Sequence, residues 1–127
     1  MPTQRKIMIV DDEFDIIQIV RRFLERWGYS VDTFMNPLYA LEQFRKDPGA
    51  YWLGLIDIRM PEITGIKLAS LLQEVKPDLK VVIMTAYEVT PDELQTHLPT
   101  ISRNDILQKP FKLSQVCSAV KKQLQTA

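Results

Sequence analysis

The feature that most limits how this chain folds is a set of short runs that are apolar on both faces and stop abruptly at polar residues. Residues 7–10 are apolar throughout and end at Asp11, Asp12 and Glu13. Leu53, Leu55, Ile56 and Ile58 form a second run, broken near its carboxyl end by a single charge, Asp57. Residues 81–84 form a third, ended by Thr85. Strands without a polar face are covered on both sides, as in a parallel sheet sandwiched between helices.

Helical periods alternate with these runs. Ile16, Ile17, Val20, Phe23, Leu24 and Trp27 recur at helical spacing, and Gly28 follows as a C-terminal stop. After a short strand at 31–34, Asn36 and Pro37 supply an N-cap and a proline at the first helical position, opening a helix toward Lys46. Leu68, Ala69, Leu72 and Val75 mark a third helix, which Pro77 ends. Pro91 and Pro99 leave room only for a short helix over 92–97, a brief strand fits 106–108, and Leu113, Val116, Cys117, Val120 and Leu124 trace a last amphipathic helix. Strand and helix alternate five times, which predicts an α/β fold: a doubly wound, five-stranded parallel sheet with right-handed crossovers and helices on both faces. At 127 residues the chain suits one domain over residues 1–127.

Sixteen acidic and sixteen basic residues balance, and no basic run is present to track a nucleic-acid backbone or a lipid surface, so direct nucleic-acid binding is not expected. A lone cysteine, Cys117, gives no disulfide framework and no zinc-ligand cluster. Without a signal-peptide pattern or an apolar span of about 20 residues, no membrane insertion is expected, and a cytoplasmic location fits best.

In an open α/β sheet the ligand crevice lies beyond the carboxyl ends of the strands, where the strand order reverses. Asp11, Asp12 and Asp57 stop the two strands that flank this point for the order 2-1-3-4-5. Three like charges there repel one another, and a hard divalent cation is the simplest remedy. All-oxygen ligation suits magnesium, or manganese in its place. A carboxylate beside such an ion can attack phosphorus, so Asp57 is the candidate nucleophile. Thr85 and Lys109, at the ends of the next two strands, offer a hydroxyl and a cation for phosphoryl oxygens.

Val10-Asp11-Asp12, Asp57-Ile58-Arg59-Met60-Pro61 with Gly65, Met84-Thr85-Ala86 and Lys109-Pro110-Phe111 together resemble the receiver domains of two-component response regulators. The resemblance covers essentially the whole chain and implies the flavodoxin-like strand order 2-1-3-4-5. It implies that Asp57 accepts a phosphoryl group from a histidine kinase or histidine phosphotransfer protein in a magnesium-dependent reaction. Asp12, Asp57 and the backbone carbonyl of Arg59 are then the metal ligands, with Asp11 acting mainly through a metal-bound water. Thr85 and the amide of Ala86 would hold the phosphoryl group, Lys109 would be its counter-ion, and the Lys109-Pro110 bond would be cis. The protein is then a phosphoacceptor switch rather than a turnover enzyme, with slow autophosphorylation from small donors and slow autodephosphorylation.

Two departures from the family pattern stand out. Ile106 occupies the switch position where receivers usually carry an aromatic residue, three before the lysine, so the partner of Thr85 in signalling is replaced. An alternative is therefore a constitutive interaction scaffold with weakened switching. The stretch between Thr85 and Lys109 is proline-punctuated, so a monomer or weak dimer is expected, with an unidentified downstream protein target. Arg59 and Tyr87 are placed by analogy at the rim of the site. An aspartyl-phosphate phosphatase is disfavoured because Arg59 stands where such enzymes place a second acid, and a flavin carrier because the loop after residue 10 is acidic. His97 is expected in an exposed loop or at a helix end, Cys117 in the core, and Trp27 and Trp52 in the core or at its edge.

Overall fold

In the computed structural model, which describes residues 5–86, 91–99, 101 and 105–125, five strands pair in parallel in the order β2-β1-β3-β4-β5. The elements run β1 (Lys6–Val10), α1 (Phe14–Arg26), β2 (Val31–Phe34), α2 (Pro37–Lys46), β3 (Tyr51–Asp57), α3 (Gly65–Val75), β4 (Lys80–Thr85), α4 (Pro91–His97), β5 (Ile106–Gln108) and α5 (Leu113–Gln125). The doubly wound sheet follows the expectation from the apolar runs, and its strand order the one implied by the resemblance.

Each face of the sheet carries its own core. Met8, Val10, Ile56 and Ile83 pack with Phe44, Leu68, Ala69 and Leu72 from α2 and α3 on one side. Ile7, Ile9, Leu53, Leu55, Val82 and Met84 pack with Ile17, Val20 and Leu24 of α1 and Val116 and Val120 of α5 on the other. Adjacent strand residues thus go to opposite cores, which is why the central stretches of β1, β3 and β4 carry runs of apolar side chains facing both ways.

Local signals set the boundaries. Asn36 caps α2, its Oδ1 accepting from the amides of Leu38 and Tyr39 at 2.9 and 3.0 Å, with Pro37 at the first helical position. Gly28, at φ +94°, takes the left-handed conformation that closes α1. Thr64 caps α3 through a bond from the Lys67 amide at 3.1 Å, so this helix begins earlier than its apolar period indicates. Trp27 departs from its expected place: it is 56% exposed at the end of α1, tilted against Phe23, with the Lys121 ammonium 4.9 Å from its ring centroid. Trp52 does pack against the core, Cys117 is buried in α5, and His97 is exposed at the end of α4. Tyr87 lies outside the described residues.

A second polar cluster lies away from the carboxyl ends of the strands. The Tyr51 hydroxyl donates to Asp32 Oδ2 at 2.6 Å, and Lys6 Nζ meets the same carboxylate at 3.4 Å. Burial, with the neighbouring Asp32, drives the Tyr51 phenol well above its ordinary pKa, so it remains a donor.

Candidate acceptor site

Strand register alone aligns the polar residues. Val10 pairs with Ile56, Asp57 with Met84, and Thr85 with Gln108, so Asp11, Asp57, Thr85 and Lys109 fall along one edge of the sheet. The seam between β1 and β3 is where the strand order reverses, since β2 and β3 flank β1 on opposite sides. Asp11 and Thr85 are buried, Asp57 is 5% exposed, and Asp12 and Ala86 are exposed.

Carboxylate oxygens of Asp11, Asp12 and Asp57 lie within 4.8 Å of one another. A donor set made only of oxygens, carrying three negative charges in partial burial, fits a hard divalent cation such as magnesium. The sequence-predicted acids are therefore brought together as expected. Arg59 follows Asp57 by two residues with its side chain exposed.

Lys109 reaches across this cluster. Its Nζ is 2.9 Å from Asp11 Oδ2, 3.2 Å from Asp57 Oδ1 and 2.7 Å from Glu13 Oε1. The strand end holds it firmly: the Lys109 amide donates to the Thr85 carbonyl at 2.7 Å, and the Lys109-Pro110 bond is cis, as the resemblance implied. Glu13 was not singled out from the sequence as part of this site. Its signal was present as the third acid after residue 10, but its distance of 96 positions from Lys109 hid the contact.

The electrostatics follow from this crowding. Burial, then repulsion from Asp11, pushes the Asp57 carboxyl up to about 6, with Lys109 pulling in the other direction. Asp11 is likewise raised by burial, although the Glu13 amide at 2.9 Å and Lys109 favour its charged form. Burial acts to lower the Lys109 pKa, but its bonds to Glu13 and Asp11 outweigh this, and the ammonium is held above its ordinary range. Lys109 is therefore a fixed cation beside an acid that ionises near neutral pH.

The loop after Asp57 is shaped by contact. The Gly65 amide donates to the Ile58 carbonyl at 2.8 Å, and a Cβ on Gly65 would collide with the Asp57 carbonyl. Glycine is needed there because α3 starts against the backbone of the acid. Ile106, at the start of β5, is partly buried and packs against the core on the α2 and α3 side.

Comparison with known proteins agrees with this geometry. The family model of the response regulator receiver domain matches residues 7–121. The response regulator receiver protein CpdR of Brucella abortus is 32% identical over 120 residues, covering 94% of this chain and 97% of that protein. The aerobic respiration control sensor protein ArcB of Escherichia coli is 32% identical over 124 residues, but the match spans only 15% of its length. Among solved structures, the response regulator TrrA of Thermotoga maritima, in complex with Mg(2+)-BeF, superposes with a TM-score of 0.77 at 31% identity, covering 94% of this chain and 98% of that one. A CheY-like receiver from Methanospirillum hungatei shares the fold with a TM-score of 0.83 at 23% identity, covering 98% of this chain and 96% of that one. Matched over nearly its whole length by the family model, and with a relative spanned almost completely, the chain belongs to the response regulator receiver domains of two-component phosphorelay signalling.

Proposed function

We propose that Asp57 is the phosphoacceptor and that it takes a phosphoryl group from a histidine of a kinase or phosphotransfer protein. The observation that carries this is the position of Asp57: a buried carboxylate between two acids and a fixed ammonium, 3.2 Å from Lys109. An ionised Asp57 oxygen attacks phosphorus, the new O–P bond forms as the N–P bond to imidazole breaks, and the imidazole nitrogen keeps the electron pair. Lys109 and Thr85, with the Ala86 amide, receive the charge that develops on the phosphoryl oxygens.

Asp12, Asp57 and the Arg59 carbonyl would hold magnesium or manganese, with Asp11 acting through a bound water. When bound, such an ion offsets the repulsion between the carboxylates and the arriving phosphoryl oxygens. The protein is a switch with slow self-phosphorylation and self-dephosphorylation, working in the cytoplasm as a monomer or weak dimer. Among the described residues no helix is long and apolar enough to cross a membrane. Ile106 has no ring to rotate, so readout runs through packing on the α2 and α3 side of the sheet.

The test is intact mass after incubation with acetyl phosphate, with and without Mg2+. A magnesium-dependent gain of about 80 Da, one phosphoryl group, that is lost in Asp57→Asn is the expected result. No gain in the folded wild-type protein from this donor or from a panel of phosphorylated kinases overturns the reading.

A further inference from the structure

Glu13 has no part in the transfer described above, yet it makes the shortest contact to the Lys109 ammonium, 2.7 Å against 2.9 Å to Asp11 and 3.2 Å to Asp57. An ammonium has three N–H donors. Two of these go to hydrogen bonds with Asp11 and Glu13, and Asp57 stands as an ion-pair partner at 3.2 Å, so the acids hold the ammonium from three sides.

The three acids are not equivalent. Asp11 and Asp57 are buried and belong to the cluster that fits a cation, whereas Glu13 has a side chain 59% exposed and is not one of the clustered acids. Its backbone is fixed, because it is the N-cap residue of α1 and its amide donates to Asp11 Oδ1 at 2.9 Å. Its carboxylate does not cap the helix and is instead spent on Lys109.

We infer that Glu13 is a positioning residue for Lys109: it competes with Asp11 and Asp57 for the ammonium, keeping the acidic cluster open to a divalent cation and holding the ammonium back from an arriving phosphoryl group. This rests on the acceptor reading above. A cation entering the cluster displaces Lys109 from Asp11 and Asp57, and Glu13 is the partner that remains to receive it. Transfer then draws the ammonium toward the phosphoryl oxygens against the pull of Glu13, so the contact retards acceptance. Removing it reverses both effects.

The experiment uses the full chain and two readouts: Mg2+ affinity by calorimetry without donor, and the initial rate of mass gain from acetyl phosphate at saturating Mg2+. For a contact this exposed, Glu13→Gln is expected to weaken Mg2+ binding and to speed acceptance, each by about two- to fivefold. Glu13→Asp keeps the charge on a side chain one methylene shorter, and its acceptance rate is expected to follow Glu13→Gln. In a Lys109→Met background the effect of Glu13→Gln on Mg2+ affinity is expected to shrink toward zero. Acceptance unchanged or slowed in Glu13→Gln, a wild-type rate in Glu13→Asp, or an undiminished Mg2+ effect without Lys109 each overturns the inference. Should the wild type gain no mass at all, the acceptor reading falls, and the Mg2+ affinities of the single and double variants still decide whether Glu13 acts through Lys109.

Discussion

Lys109 Nζ stands 3.2 Å from Asp57 Oδ1, yet the Asp57 carboxyl is still pushed up to about 6 from an ordinary 3.8, because burial and Asp11 outweigh the ammonium. In the metal-free protein the charged form of Asp57 is thus a net cost to the fold. Below about pH 4 the group is protonated in both the folded and unfolded states, and above about 6 it is ionised in both; between these values the folded state binds more protons. Its contribution to stability therefore rises as pH falls from about 7 to about 4, by roughly 3 kcal/mol at most. Urea unfolding in EDTA should show this trend in wild type. Asp57→Asn should be about 1–3 kcal/mol more stable than wild type at pH 7.5, with a flatter pH dependence. Equal stabilities there would contradict the electrostatic account.

Divalent cations should act in the opposite sense with pH. Mg2+ stabilises the folded chain by binding it and not the unfolded one, and needs ionised carboxylates to do so. The rise in melting temperature at saturating Mg2+ should be largest at pH 7.5 and small at pH 5. A shift of the same size at both pH values would place the ion elsewhere.

Lys109→Met removes the only cation that touches Asp11, Asp57 and Glu13 among the described residues' ion pairs. Asp11 is fully buried, so its charge is left with the Glu13 amide but no counter-ion. The loss in EDTA at pH 7.5 should be on the order of 3 kcal/mol, reduced on acidification as Asp57 takes up a proton. Denaturant titrations at pH 7.5 and 5 measure both.

Gly65→Ala tests the backbone contact behind Asp57. With the Asp57 carbonyl in the path of the new methyl, α3 must shift, at a cost of about 1–3 kcal/mol. Wild-type stability in this variant would show that the loop yields freely.

Much of this architecture was legible because its signals are local. Residues 7–10 and 81–84 announce buried strands by their own composition, Asn36-Pro37 carries its cap, and Gly28 its turn. The acids and Lys109 were legible because strand ends in a parallel sheet converge by topology. What escaped depends on neighbours far along the chain. Glu13 gains meaning only when Lys109 arrives, Gly65 only when its α-carbon meets the Asp57 carbonyl, and the exposed Trp27 only when Lys121 of α5 lies over its ring. Asp11 also serves α1, since it holds the Glu13 amide while Glu13 itself makes no side-chain cap.

The bond between Asp11 and Lys109 joins residues 98 positions apart. A chain leaving the ribosome has both Asp11 and Asp57 in hand well before β5 emerges, and until β5 docks on β4 those acids face one another without their cation. The ammonium that completes this cluster is thus carried near the end of the chain, with only α5 after it. The cluster is therefore complete only once β5 has paired with β4, so a chain cut short before β5 would hold these acids without their counter-charge.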